Sequence, residues 1–397
     1  MTGREVPTLS DFDVRMTDLM ARWHLPGAQL AIAKDGRLVL SRGYGYADLE
    51  RKQPVQPDSL FRIGSVSKTL TAVAILKLLE SGLINLNDKA FRILSDLKPP
   101  KGASVDQRLY EITIQQLLQH EGGWESNDVL ELPWSRMASA TLGRPDPPEC
   151  ETIIRYAMSV PLDFTPGTKS NYSNFGYCVL GRVIEAVASR LRNRKMTYEE
   201  YVTKEVLIPA GITRARLGGT RLSERAVGEV RYYGQPNQAL VPSVYPGNGY
   251  VPFAYGGFYL RAAGAAGGWI ASAQDLVRFG TAIDGQHGRA LLKPETFRLM
   301  METPVPSSKA ADGAQESVGL CWTVARRMNG IDFWHTGAIK DSNAGWLVRT
   351  SEGITLAFMF NSVGPDVVSF LLEVVPAMHD LIKEHQVWPG NDLWAAP

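Results

Sequence analysis

Strand-forming patterns occupy the two ends of this chain and are nearly missing from its middle, and that distribution limits the possible folds more than any other feature. Near the start, Gln29–Ala33 and Leu38–Ser41 flank Asp35-Gly36. An Asp-Gly pair between two apolar runs predicts a tight hairpin, because both turn positions need positive φ. Strand patterns return at 318–326, 331–335, 343–350 and 354–361. Between the two groups, apolar residues fall at helical spacing over 65–82, 112–120, 175–192, 198–206 and 272–283, with Pro- and Gly-rich connections from about 130 to 250. Thr113 and Ser272 are the expected caps of their helices. An amphipathic helix is expected at 10–24, with Phe12, Met16, Leu19, Met20 and Trp23 on one face and Ser10 with Asp13 as a capping box. A last helix spans 366–386, with Pro376 expected to kink it.

Strands from both ends can pair in one antiparallel sheet. The expected fold is therefore α+β: an antiparallel sheet flanked by helices, with a mostly helical inserted domain. Residues 1–62 and 255–397 would form the α/β domain, and 63–254 the helical one, with an active site between the two. A length of 397 residues suits two domains, or one with an insertion.

Lys and Arg number 42 against 41 Asp and Glu, a net charge of +1. That balance gives no support for nucleic-acid or anionic-membrane partners. The densest basic run, Arg190–Lys195, reads as a solvated loop. The three cysteines, Cys150, Cys178 and Cys321, are sparse, odd in number and without a CxxC pair. This argues against a disulfide framework and a zinc site, and no metal or cofactor is expected. The N-terminus lacks the apolar stretch of a secretory signal, and no window reaches the ~18 apolar residues of a membrane span. The expectation is a soluble, cytoplasmic protein of unspecified oligomeric state.

The sharpest local feature is Ser65-Val66-Ser67-Lys68 at the start of a helix. A serine hydroxyl is a poor nucleophile until a base takes its proton. Positions i and i+3 share a helix face, so Lys68 can hold its amine beside Ser65. A free lysine titrates near ~10.4, so it must be desolvated to act as that base. SxxK alone is a weak signal, and a capping serine with a surface lysine is its blander explanation. Ser67 has no lysine three residues on and reads as a packed serine. Tyr172-Ser173-Asn174 lies in a turn-like stretch, where the tyrosine can shuttle a proton and the asparagine can hold Lys68. His335-Thr336-Gly337 follows an apolar strand. A glycine there admits close approach, and the N–H of Ala338 could join that of Ser65 in an oxyanion hole. Taken singly, the second motif also reads as a polar loop and His335 as a structural histidine.

Together the three motifs resemble the signature of the serine β-lactamase and penicillin-binding-protein superfamily, which is SxxK, S/Y-x-N and a KTG-type triad. Phe61–Leu70, ITIQQLLQHEGG at 112–123, AAGGWIASAQDLVRF at 265–279 and GLCWTV at 319–324 are similar to stretches of that family in the same order. The tyrosine in the middle motif resembles class C β-lactamases, their DD-peptidase relatives and, most of all, family VIII carboxylesterases. The resemblance implies that Ser65 is acylated and that Lys68 and Tyr172 form the general base and acid pair. Asn174 would position Lys68 and substrate. His335, Thr336 and Gly337 would border the acyl site, and the N–H groups of Ser65 and Ala338 would form the oxyanion hole.

The third motif departs from the family by placing histidine where relatives carry lysine. A largely neutral histidine weakens the case for an anionic substrate, and Asp341 nearby would repel one. Trp124, Trp134, Tyr245, Tyr250, Phe253, Tyr255, Phe258, Tyr259 and Trp269 crowd the expected cleft segments, which suits uncharged acyl or alcohol groups. About half of these aromatics would be plain core residues. His120, in LLQHEGG, reads as a structural helix-end histidine. The expected activity is a serine carboxylesterase acting on a small-molecule ester with a short acyl chain, with weak β-lactam hydrolysis as a side reaction. The alternatives are a β-lactamase or D-amino-acid peptidase or amidase, an acyltransferase, and a slow-deacylating penicillin-binding protein.

Overall fold

The computed structural model describes residues 1–125, 132–235, 237–286, 288–302, 305–309 and 315–395. Nine strands form the main sheet: β1 (Gly27–Lys34), β2 (Arg37–Asp48), β3 (Gln53–Pro54), β4 (Val305–Lys309), β5 (Gln315–Val318), β6 (Thr323–Arg327), β7 (Gly330–Ile339), β8 (Asn343–Arg349) and β9 (Ile354–Phe360). Their spatial order is β3-β2-β1-β9-β8-β7-β6-β5-β4, and every neighbouring pair is antiparallel. The N-terminal hairpin thus joins the C-terminal meander along β1 and β9, with Ala31 opposite Ala357. Asp35 and Gly36 form the hairpin turn at φ 50° and 78°, as the Asp-Gly pair predicts.

Both faces of the sheet are covered. Leu30, Ile32, Val348, Leu356 and Phe358 face α1 (Ser10–Arg22) and α5 (Val367–Glu384), where Phe12, Met16, Phe370, Val374 and Met378 meet them. Alternate residues Ala31, Ala33, Leu347 and Ala357 face the larger core and α4 (Ala273–Ala282). Period-two burial with apolar residues on both faces explains why β1 reads as a nearly unbroken apolar run.

On that second side lies α2 (Ser67–Glu80), buried all round from Ser67 to Leu76. A helix without a polar face belongs in a core. It packs against α3 (Asn174–Arg192) and the short helix Gly264–Gly267. Ser67 Oγ accepts from the Trp269 N–H at 3.2 Å, and the Thr71 hydroxyl donates to Ala265 O at 2.7 Å. These bonds fix the start of α2 against the strand Trp269–Ala271, which pairs with Phe61–Arg62. Thr113 and Ser272 each cap their helix through a complete capping box.

Three local expectations give way. Ser10 is not an N-cap: a 3₁₀ turn over Pro7–Leu9 leads into α1, and buried Asp13 instead accepts from the Tyr44 hydroxyl at 2.6 Å and from Arg42 Nε at 3.3 Å. The strand expected at 318–326 is two strands, because Gly319–Trp322 forms the hairpin loop between β5 and β6, with Cys321 at φ 90°. Its residues Leu320, Cys321 and Trp322 are buried, so the loop looks like strand by composition. The cysteines do form a bridge, since Cys150, at the start of the helix Cys150–Ala157, is disulfide-bonded to Cys178 on α3. Two segments 28 residues apart in sequence pack side by side there, which cysteine spacing does not reveal. Helix α5 runs through Pro376. No described helix is long and apolar enough to cross a membrane.

Candidate active site

Ser65 sits in the 3₁₀ turn Gly64–Val66 that opens into α2, one turn before Lys68. Lys68 is completely buried. Its Nζ lies 2.7 Å from Asn174 Oδ1, 2.7 Å from Ala266 O and 3.1 Å from Ser65 Oγ. Burial pulls its pKa from 10.5 down to about 7. A neutral amine has two hydrogens and one lone pair. The two short bonds to oxygen atoms that can only accept use both hydrogens. The lone pair is then left for the third neighbour, Ser65 Oγ. In that form Lys68 can take the Ser65 proton.

Tyr172 donates its hydroxyl to Ser65 Oγ at 2.6 Å. Desolvation raises the phenol's pKa, and the bond to Ser65 opposes that shift. The residue as a whole remains 40% exposed. That exposure describes the entire side chain, whereas the desolvation acts at the hydroxyl over Ser65. The tyrosine therefore stays protonated at rest, and Lys68 is the more available base. Lys68 Nζ also lies 4.8 Å from the Tyr172 ring centroid.

His120 is the residue whose position the sequence reading undervalues. Its carbonyl accepts from the Asn171 N–H at 2.8 Å, and its Nδ1 accepts from the Ser173 N–H at 3.0 Å. It thus brackets Tyr172 on both sides, with the two rings 4.5 Å apart. Burial, then the charge of Lys68, hold its pKa well below the usual imidazole value, so it is neutral with the proton on Nε2. The residue has φ 61° just past the helix Ile114–Leu118, and His-Glu-Gly-Gly was the only sequence hint of that turn. Cys321 is a second such residue. It is a buried free thiol whose pKa is pushed up to about 12, chiefly by burial, and it interacts with Tyr177 and Lys68.

The turn carrying Ser65 presses directly against β7. A Cβ on Gly337 would collide with Ile63 O and lie 3.1 Å from the Ser65 nitrogen. A Cβ on Gly64, itself at φ 51°, would lie 2.8 Å from the Ala338 nitrogen. The Ser65 and Ala338 amides therefore belong to two backbones in closest approach, and only glycine fits at the crossing. His335 is buried beside them. Its Nδ1 is 2.5 Å from Thr336 O, which can only accept, so Nδ1 carries the proton and Nε2 is free to accept. Burial and then the Lys68 charge lower its pKa to about 4. It is neutral across the physiological range.

These residues open into a cavity of ≈ 430 Å³ lined by Ser65, Asn174, Ala338 and, further out, Val241, Phe253, Phe258 and Tyr259. Of the aromatics expected to crowd the cleft, these last three line it. Trp269 and Trp124 are in the core, Tyr255 packs on Arg62, and Tyr250 is 69% exposed. Lys340, at the end of β7, also lines the cavity and is the charged residue there that the sequence reading missed. Asp341, expected to face substrate, does not line it.

The beta-lactamase family model matches residues 12–372. The human mitochondrial serine beta-lactamase-like protein LACTB is 24% identical over 378 residues, covering 76% of this chain and 63% of that protein. Protein flp of Staphylococcus aureus strain COL is 29% identical over 222 residues, covering 56% of this chain and 40% of flp. The chain thus spans less than half the length of that curated relative. Among solved structures, the D-amino acid amidase of Ochrobactrum anthropi SV3, complexed with D-phenylalanine, has a TM-score of 0.72 and 22% identity, covering 96% of this chain and 100% of that one. The octameric penicillin-binding protein homologue of Pyrococcus abyssi has a TM-score of 0.69 and 23% identity, covering 94% and 77%. With the family model spanning nearly the whole chain, this protein belongs to the beta-lactamase family of serine hydrolases.

Proposed function

We propose that this protein is a serine carboxylesterase that passes a short acyl group from an ester to Ser65 and then to water. The observation that carries the reading is the set of contacts on Ser65 Oγ: the Lys68 amine at 3.1 Å and the Tyr172 hydroxyl at 2.6 Å. Lys68, whose pKa burial lowers to about 7, takes the Ser65 proton in its neutral form as Oγ attacks the ester carbonyl. The oxyanion is held by the N–H groups of Ser65 and Ala338. Tyr172 then protonates the leaving alcohol and is reprotonated from Lys68. In deacylation the same pair takes a proton from water and returns one to Ser65. Asn174 holds Lys68 in place, and His335, Thr336 and Gly337 wall the acyl site. The division of the cleft into residues 1–62 with 255–397 on one side and 63–254 on the other belongs to the same proposal.

Ester substrates are favoured by the lining. Apolar and aromatic side chains dominate it, and neutral His335 offers an acceptor rather than a cation. The likeness to D-amino acid amidase raises a second reading, hydrolysis of an amino-acid amide. A free α-ammonium needs a carboxylate to receive it, and none lines the cavity among the described residues, whereas Lys340 does. The test is turnover of p-nitrophenyl butyrate, D-phenylalanine amide and a chromogenic cephalosporin by wild type and Ser65→Ala. We expect fast ester cleavage that falls at least ~10³-fold in the variant, with unchanged unfolding midpoint. Faster cleavage of the amide or the cephalosporin would replace the esterase reading, and full activity in folded Ser65→Ala would end it.

A further inference from the structure

The cavity over Ser65 carries one charged side chain among the described residues that line it, and that side chain is Lys340. Lys340 follows β7 directly, two residues beyond Ala338. It is exposed, and no carboxylate among the described residues forms an ion pair with it. Every other lining group is apolar or an uncharged hydrogen-bonding residue. A lysine at the mouth of an apolar cleft, with no carboxylate partner among the described residues, is arranged to meet an anion that arrives with the ligand. His335 cannot fill that role, because burial keeps it neutral.

We propose that Lys340 recognises a carboxylate on the substrate, so that the preferred esters are anionic at the end remote from the scissile bond. This rests on the esterase reading and names its substrate class. Lys340 stands in the turn past the end of β7, two residues beyond Ala338, which marks the scissile carbonyl. The carboxylate therefore sits several bonds away, as in the monoester of a dicarboxylic acid or the ester of a carboxyphenol. The carbonyl end is processed over Ser65, and the charged end stays at the solvent edge, where its desolvation cost is small.

The experiment compares esters matched in length and differing in charge. One pair is 4-nitrophenyl hexanoate and mono-4-nitrophenyl adipate, with the charge on the acyl side. The other is phenyl butyrate and 4-carboxyphenyl butyrate, with the charge on the leaving group. We expect the anionic ester to have the higher kcat/KM in at least one pair. That ratio should fall about fivefold in Lys340→Ala at low ionic strength, the upper range for an exposed ion pair. It should survive in Lys340→Arg, invert in Lys340→Glu, and shrink in wild type as salt is raised. Lys101→Ala, an exposed lysine in a turn outside the cleft, controls for net charge and should leave the ratio alone. A ratio unchanged by Lys340→Ala in both pairs, or lowered equally by Lys101→Ala, overturns the proposal while leaving Ser65-dependent esterase activity standing. Should no ester turn over, protection of Ser65 from a fluorophosphonate probe decides the matter. Adipic monoamide should protect at lower concentration than hexanamide in wild type, and equal protection refutes the assignment.

Discussion

Lys68 is buried among uncharged groups, and its titration should be visible in both catalysis and stability. Only the neutral amine can accept the Ser65 proton, and its pKa stands at about 7. The kcat/KM for a neutral ester should therefore rise with pH, reach half its plateau near pH 7 and fall tenfold per unit below that. His335, at about 4, and His120, held well below the usual imidazole value, do not titrate there. A His335→Gln variant, whatever its rate, should keep the limb near 7. The same proton acts on folding. A lysine that titrates at 10.5 unfolded and about 7 folded carries about 5 kcal/mol of linkage. Between those values the unfolded chain holds a proton that the folded chain has shed, so stability rises with pH and is lost as pH falls toward 7. Wild type should gain about 2 kcal/mol on Lys68→Met between pH 7 and 9, measured by urea unfolding of both. A limb near pH 4, a limb that moves with His335, or a pH-independent stability difference would refute the assignment of Lys68 as the neutral base.

Gly337→Ala should lower kcat by roughly 10²-fold, because the new methyl collides with Ile63 O and pushes β7 from the Ser65 turn; steady-state kinetics with an unfolding control reads it, and near-wild-type turnover would contradict the close approach. Asp13→Ala should cost roughly 3–5 kcal/mol in denaturant unfolding, since it strands the buried Arg42 guanidinium and the Tyr44 hydroxyl that now share its Oδ1; a loss under ~1 kcal/mol would show that the cluster tolerates the charge unpaired.

The sheet was legible because its signals are local. Asp35-Gly36 dictates a hairpin by backbone sterics, whereas the core that each residue of β1 meets was not legible, because both of its faces are apolar. The pairing of Ser65 with Lys68 was legible for a similar reason, since the two are three residues apart and lie 3.1 Å from each other. What the sequence hid depends on contacts between distant segments. The Cys150–Cys178 bridge joins two helices, and the buried loop Gly319–Trp322 is a turn dressed in core residues. His120 matters through what it touches at 171 and 173, and Ala266 through a backbone carbonyl that any residue could supply. A carbonyl has no residue signature, so one of the three polar neighbours of the Lys68 amine was invisible until the chain was folded. Lys340 was hidden by the opposite problem: a lysine at a strand end is ordinary, and only the cavity distinguishes it.

Placing the cleft's cation at 340 rather than 335 has a consequence for the base. Lys68 and His335 are close enough for the charge of one to lower the pKa of the other. A lysine at 335 would be a second ammonium near a base that must lose its own proton, and the two charges would compete for the same enclosed space. With histidine there, burial empties the site of that competing charge, and desolvation alone brings Lys68 to about 7. Lys340 is exposed past the end of β7 while Lys68 is buried, so water screens a cation at the mouth from the floor. The cleft thereby keeps its proton chemistry in a dry, neutral interior and leaves charge recognition to water-exposed groups, where each can be changed without the other. A substrate that binds through Lys340 should accordingly leave the acid limb of kcat/KM at the position Lys68 sets.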